Sequence, residues 1–162
     1  MRLPWVGSLV QVAPMQAALT AAYVFHTLFA GLWVGAVVLT AWKVIPLARD
    51  GDASPELLDS VVSGVSTITR VGALVFVATG GHMAATVYGA EGLFAPPRGH
   101  VVLTMLTLWL VMTGLVEVGG SKVRSALEQR KVRTAARDAG TFYNAAAVVG
   151  FVLLVLGGYL AA

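Results

Sequence analysis

The sequence predicts an all-α, polytopic membrane protein whose four transmembrane helices form a single bundle domain. Only 12% of its 162 residues are charged and 57% are hydrophobic, whereas about 25% of the residues of a soluble domain are charged. A helix needs roughly 20 apolar residues to cross the hydrocarbon of a bilayer, and in lipid its backbone amides must be satisfied internally. Four runs without Asp, Glu, Lys or Arg meet this requirement: 3–42, 71–90, 99–116 and 142–162.

Turn residues between these runs divide the chain into helices. Ser54 followed by Pro55 is typical of an N-cap and a first helical position. The two prolines at 96–97 indicate a short loop before the third helix. The segment from Met1 to Gln16, which two prolines interrupt, is predicted to be retained at the membrane surface with Trp5 as an anchor. The predicted helices cover approximately 15–48, 55–89, 100–130 and 135–160.

The basic residues predict an orientation. Of the 11 Lys and Arg residues, nine lie near the first and third connections, and only Arg2 and Arg98 lie on the opposite side. Because cytoplasmic loops carry the excess of Lys and Arg, both termini are predicted on the extracytoplasmic side of the cytoplasmic (inner) membrane. This rule also explains the basic cluster at 122–137, so the expected partner is the lipid bilayer and not nucleic acid. The absence of cysteine excludes disulfides, thiolate metal sites and covalently attached c-type haem.

Two histidines in different helices are predicted at the same depth of the membrane. His26 lies roughly 15 Å below the predicted start of the first helix, and His82 roughly 12 Å below the predicted end of the second. Ionisable groups inside membrane spans are usually functional, and two imidazoles on facing helices can hold a b-type haem. We therefore expect His26 and His82 as axial ligands in the outer half of the membrane, with Arg98 placed to meet the propionates.

A copper site is the alternative interpretation of the histidines. Copper binds imidazole well, and His26, His82 and His100 together would supply three such ligands. His100 is predicted at the start of the third helix, nearer the membrane surface. The five methionines form no Met-x-Met cluster. The residues alone favour haem over copper.

Glu117 is the one acid inside an apolar run. Arg70 begins the apolar run of the second helix at a similar depth, and an ion pair between the two would reduce the cost of burying each charge. Asn144 of the fourth helix is predicted at the same level. These residues are interpreted either as a structural brace or as a proton relay that includes a quinone-facing acid.

The stretch from His26 to Gly35, which includes Trp33, resembles the His…Trp-x-Gly signature of the copper-resistance D (CopD) family and its relatives. These relatives include the HemJ-type protoporphyrinogen oxidases, which are small four-helix membrane proteins. The CopD resemblance implies copper uptake across the inner membrane. The HemJ resemblance implies binding of haem b and an oxidoreductase activity. In both cases the resemblance assigns the first-helix histidine of the family to His26.

The sequence thus favours a membrane b-type haem protein with an electron-transfer role, whose partner is a quinone or a redox protein. A CopD-like copper-handling protein and a non-catalytic membrane subunit of a larger redox complex are the alternatives. A homo-oligomer is compatible with each of them. Catalytic residues and turnover are not specified by the sequence.

Overall fold

The computed structural model of this chain describes residues 4–129 and 131–162, and it describes side chains from residue 14 onward within those ranges. The predicted anchor Trp5 and the predicted extracytoplasmic Arg2 therefore lie outside the described side chains. The described part is all-helical and contains four helices that are long and apolar enough to cross a membrane, which confirms the predicted all-α, multi-pass membrane architecture. The predicted side of the two termini stays a prediction. The helices are α1 (Pro4–Leu39), a π-helical segment (Thr40–Val44), α2 (Ile45–Asp50), α3 (Pro55–Val87), α4 (Gly89–Leu93), α5 (Arg98–Glu128) and α6 (Val132–Ala161).

The first membrane-spanning helix is continuous from Pro14 to Asp50, although it contains two prolines. Pro14 lies inside α1 and does not mark its start, since membrane helices tolerate the loss of one backbone N–H. Pro46 is the second residue of α2, which follows the π-helical segment directly. Proline cannot donate a backbone hydrogen bond and crowds the preceding turn. The wider π-helical turn before Pro46 accommodates the missing hydrogen bond and the steric crowding.

The turn between α2 and α3 has the caps that its sequence predicts. Gly51 adopts a left-handed conformation with φ of 96°, and its N–H donates to the carbonyl of Leu47. The Ser54 hydroxyl then accepts a hydrogen bond of 3.2 Å from the backbone N–H of Leu57, with Pro55 in the first position of α3. This arrangement confirms the predicted N-cap and allows α3 to run antiparallel to α1.

The helices α5 and α6 pack through small residues. In α6 the buried positions recur every three or four residues, and most of them are alanine or glycine, which allows the two backbones to approach closely. A methyl group built at Gly119 of α5 would lie 3.0 Å from the ring of Tyr143 in α6. The buried α6 residues are Ala135, Ala136, Ala139, Gly140, Tyr143, Ala146, Ala147 and Gly150.

The bundle has two unequal halves. The half next to the α2–α3 and α5–α6 connections, called the basic end, contains almost all of the buried residues, among them Trp33, Val62 and Met112. In the other half, called the histidine end, the structure describes just two buried residues, Ala22 and Gly99. The core is therefore closed at the basic end, while inward-facing side chains at the histidine end stay partly exposed.

Candidate functional site

His26 of α1 is held against α3 by a directional hydrogen bond. Its Nδ1 lies 2.9 Å from the hydroxyl oxygen of Thr79. The Thr79 hydroxyl also lies 2.6 Å from the carbonyl of Val75 and can donate its single hydrogen there. With the hydrogen in that position the hydroxyl accepts from the imidazole, and His26 then carries its proton on Nδ1 and keeps a lone pair on Nε2.

The surroundings of the imidazole fix the plane of the ring. The ring of Phe76 meets it edge-on, with 5.0 Å between the ring centroids. A methyl group built at Gly80 would lie 3.2 Å from Cε1 of His26, which is closer than ordinary van der Waals contact. Glycine at position 80 thus allows α3 to approach the imidazole, and Phe76 limits its rotation.

A second contact of the same kind joins α1 and α3 nearer the basic end. Nε1 of Trp33 donates to the Thr69 hydroxyl at 2.8 Å, and that hydroxyl donates to the carbonyl of Val65. Trp33 is almost completely buried and also packs on Phe76. The roles of Thr69, Thr79 and Phe76 as contacts of α1 could not be predicted from the sequence, because only the rotation of α3 shows which of its side chains face α1.

His26 of α1 lies at the depth of the middle of the apolar run of α3. Its partner Thr79 is nine residues beyond Arg70 and eight residues before Val87, where α3 ends. At 1.5 Å per residue these separations correspond to roughly 13 Å and roughly 12 Å. An imidazole at this depth is expensive in lipid and is a functional candidate for that reason.

His82 lies near the level of His26 but on another face of α3. A helix turns by about 100° per residue, so His82 points roughly 110° away from the face formed by Phe76, Thr79 and Gly80. Its side chain is exposed. A methyl group built at the neighbouring Gly81 would meet no atom within 4 Å. The structure thus places His82 on an open surface beside the α1–α3 contact and not opposite His26.

The other predicted ligands lie at the end of the bundle. Arg98 is the first residue of α5, and His100 follows in the same turn, and both side chains are exposed. Within the described residues no three His, Cys, Asp or Glu side chains come together as a metal-binding group. The three histidines do not converge, so the predicted copper site has no assembled ligand set here.

Arg70 and Glu117 form the ion pair that their positions in the sequence predict. Two parallel hydrogen bonds of 3.1 and 3.0 Å join the guanidinium to the carboxylate. The side chains are 67% and 31% exposed, and the pair ties α3 to α5 where their apolar runs begin and end. Asn144 is exposed on α6 and makes no hydrogen bond to this pair in the described part of the chain. The roles of these three residues as brace or proton relay stay predictions.

Exchanging the two charges tests the brace. We expect Arg70→Gln and Glu117→Gln each to lower the melting temperature in detergent, because each leaves one charge unpaired at the edge of the membrane. The double exchange Arg70→Glu/Glu117→Arg should recover most of the loss, since it restores an ion pair. If the double exchange melted at a lower temperature than either single variant, the ion pair between the two residues would not be what stabilises the protein.

Comparisons with protein-family models, curated proteins and solved structures found no match for this chain. The resemblance of its first helix to CopD and HemJ proteins therefore stays a prediction, and the function is argued from the His26 site itself.

Proposed function

We propose that the protein binds a b-type haem in the membrane, with Nε2 of His26 as an axial ligand, and that it transfers electrons. The observation that carries this proposal is the contact of 2.9 Å between Nδ1 of His26 and the Thr79 hydroxyl, which can donate its own hydrogen to the carbonyl of Val75. This arrangement favours the tautomer that a metal ligand requires, because the coordinating nitrogen must be unprotonated.

The residues around His26 fit this role. A metal-ligating histidine almost always donates its other ring N–H to a neighbouring acceptor, which orients the ring and makes the ligand more basic. Thr79 supplies that acceptor, and Phe76 and Gly80 hold the plane of the ring. The imidazole is thus already oriented before any ligand binds.

The packing of the bundle supports the proposal as well. The histidine end is the half in which the described helices bury few side chains, so a macrocycle could lie against its exposed apolar side chains without displacing a closed core. The apolar runs that surround it would exclude water from the site. When bound, the haem supplies one-electron chemistry, and the axial ligand and the burial set its potential.

His82 is our candidate for a second ligand, since it is the other imidazole near this level. Because it lies on an open surface beside Gly81 and not opposite His26, it would have to reach the haem from a second copy of the chain or after a rotation of α3. We propose a quinone or a membrane-bound redox protein as the electron-transfer partner. The excess of basic residues at the basic end supports an orientation in the cytoplasmic membrane with both termini outside.

An absorption spectrum of the detergent-purified protein tests the proposal. We expect a Soret band in the oxidised protein, and a sharp α-band after reduction with dithionite. The pyridine haemochromogen assay should identify the haem as b-type. It should give about one haem per chain or per small oligomer. Protein that is expressed with adequate haem supply, or titrated with haemin, and that shows neither band would contradict the proposal.

Removal of the Thr79 hydroxyl gives a further expected result. In Thr79→Val the shape of the side chain is kept, but Nδ1 of His26 loses its acceptor. We expect weaker haem binding, by roughly tenfold or more, and a higher midpoint potential, because a less basic imidazole stabilises the oxidised iron less. Haemin titration and a redox titration measure the two effects. Thr86→Val, the same change at an exposed position of α3, should leave both values unchanged, and equal effects of the two variants would contradict the assigned role of Thr79.

A further inference from the structure

Three arginines line one concavity at the basic end of the bundle. The concavity has a volume of about 530 Å³, and it lies where the end of α2 meets the first turns of α6. Arg49 enters it from α2, and Arg133 and Arg137 enter it from α6. The two helices are far apart in sequence, so the concavity exists only because the fold brings their ends together.

The charges in this concavity are unbalanced. Three guanidinium groups face one carboxylate, that of Asp138, and Thr134 completes the lining. In the described part of the chain Asp138 makes no salt bridge with any of the three arginines, since the pair at Arg70 and Glu117 is the one found there. Basic side chains in the first turns of a helix are also repelled by its positive end. All five lining residues are exposed, so an anion could reach the arginines from the solvent and would reduce their mutual repulsion.

One of the arginines contacts the backbone of the turn between α2 and α3. Nη2 of Arg133 donates to the carbonyl of Asp50 at 3.4 Å. The guanidinium also lies across Gly51, where a methyl group would come within 2.7 Å of Nη2. Glycine is favoured at position 51 by its left-handed conformation, whereas the flexible end of Arg133 could shift away from an added methyl group. The contacts place one guanidinium of the concavity beside the turn between α2 and α3.

The side of the concavity nearest the membrane lies at the depth of lipid headgroups. The apolar run of α6 begins at Phe142, and Arg137 precedes it by five residues, or roughly 8 Å. The polar layer of a bilayer extends about 5 to 8 Å beyond the hydrocarbon on each side. Arg133 precedes Phe142 by roughly 14 Å and lies on the water side of that layer, so the concavity is accessible both from the membrane surface and from solution.

We infer that this concavity is a binding site for a phosphate group, carried either by an anionic phospholipid or by a soluble phosphate ester. Arginine pairs with phosphate through two parallel hydrogen bonds, which gives the interaction both strength and orientation. A phosphate group bound in this concavity would have guanidinium groups from two helices along its walls. The site is independent of the haem proposal, since it lies at the opposite end of the bundle from His26.

Native mass spectrometry of the full chain, titrated with phosphatidic acid or phosphatidylcholine, tests this inference. We expect the wild-type protein to retain phosphatidic acid and not phosphatidylcholine. Arg49→Gln/Arg137→Gln should weaken the retention of phosphatidic acid by about tenfold or more, because two charged hydrogen-bond donors are lost. The control Lys43→Gln/Lys122→Gln removes the same charge from exposed positions of the basic end outside the concavity and should bind like the wild type.

Competition with glycerol 3-phosphate identifies the source of the phosphate. Retention of phosphatidic acid in millimolar glycerol 3-phosphate would assign the site to a lipid headgroup. Displacement at that concentration would assign it to a soluble phosphate ester. Equal loss of phosphatidic acid retention in both double variants would show a general effect of surface charge and would overturn the inference. Equal retention of phosphatidic acid and phosphatidylcholine by the wild type would overturn it as well. Melting temperatures of both double variants should match, which excludes unfolding as the cause.

Discussion

The His26→Ala variant should lose the haem spectrum. The substitution removes the imidazole whose Nδ1 contacts the Thr79 hydroxyl and whose Nε2 is the proposed ligand. We expect purified His26→Ala to contain less than about a tenth of the haem of the wild type, since loss of an axial ligand removes a direct bond to the iron. The pyridine haemochromogen assay measures the content, and the absorption spectrum measures the ligation.

The two other histidines supply the controls. His100→Ala, at an exposed position at the start of α5, should have the spectrum of the wild type. His82→Ala should retain haem through His26 but change to a high-spin spectrum, if His82 provides the second axial ligand. A wild-type spectrum in His82→Ala would remove His82 from the ligand set and leave His26 in place. A wild-type spectrum in His26→Ala, with normal haem content, would refute the assignment of His26.

The Gly150→Leu variant should be strongly destabilised. Gly150 of α6 lies where three helices meet, and a methyl group built there would come 3.0 Å from Cγ1 of Val34 and 3.1 Å from Cε of Met112. Both neighbours belong to the closed core at the basic end. Overpacking of such a core costs about 1 to 3 kcal/mol. We expect the melting temperature in detergent to fall by roughly 5 °C or more.

The matched control is Gly158→Leu, two turns further along α6. A methyl group at Gly158 would meet no atom within 4 Å, and the residue is exposed. Both substitutions replace glycine by leucine inside the same helix, so the gain in helix propensity is the same. Gly158→Leu should melt at or above the temperature of the wild type. Equal melting temperatures of Gly150→Leu and Gly158→Leu would show that α1, α5 and α6 do not approach each other closely at Gly150.

The sequence predicted those features that depend on composition along the chain. The four apolar runs specify four spanning helices because lipid permits few other backbone conformations. The pairing of Arg70 with Glu117 could be predicted because each is an isolated charge at a similar depth of a neighbouring helix. The Ser54 cap could be predicted because its hydrogen bond is local to the turn.

The features that depend on helix rotation could not be predicted in this way. The depth of His82 was derived from a residue count, but its direction depends on which face of α3 packs against α1. That face is set by Thr69, Phe76 and Thr79, none of which has an unusual sequence context. The arginine concavity was interpreted as a topology signal alone, because residues 49 and 137 become neighbours only when α2 packs on α6.

Rescue of a His26→Gly variant by free imidazole is the most direct test of the central claim. The substitution removes the ligand and leaves a space of the size of imidazole next to Thr79. We predict that the variant, purified without haem bands and then given haemin and imidazole together, recovers the Soret band and the reduced α-band of the wild type. Haemin alone should not restore the bands in His26→Gly. In the double variant His26→Gly/Thr79→Val, haemin and imidazole together should restore them less than in His26→Gly. Wild-type bands in His26→Gly with haemin and no imidazole would contradict the claim that Nε2 of His26 holds the haem.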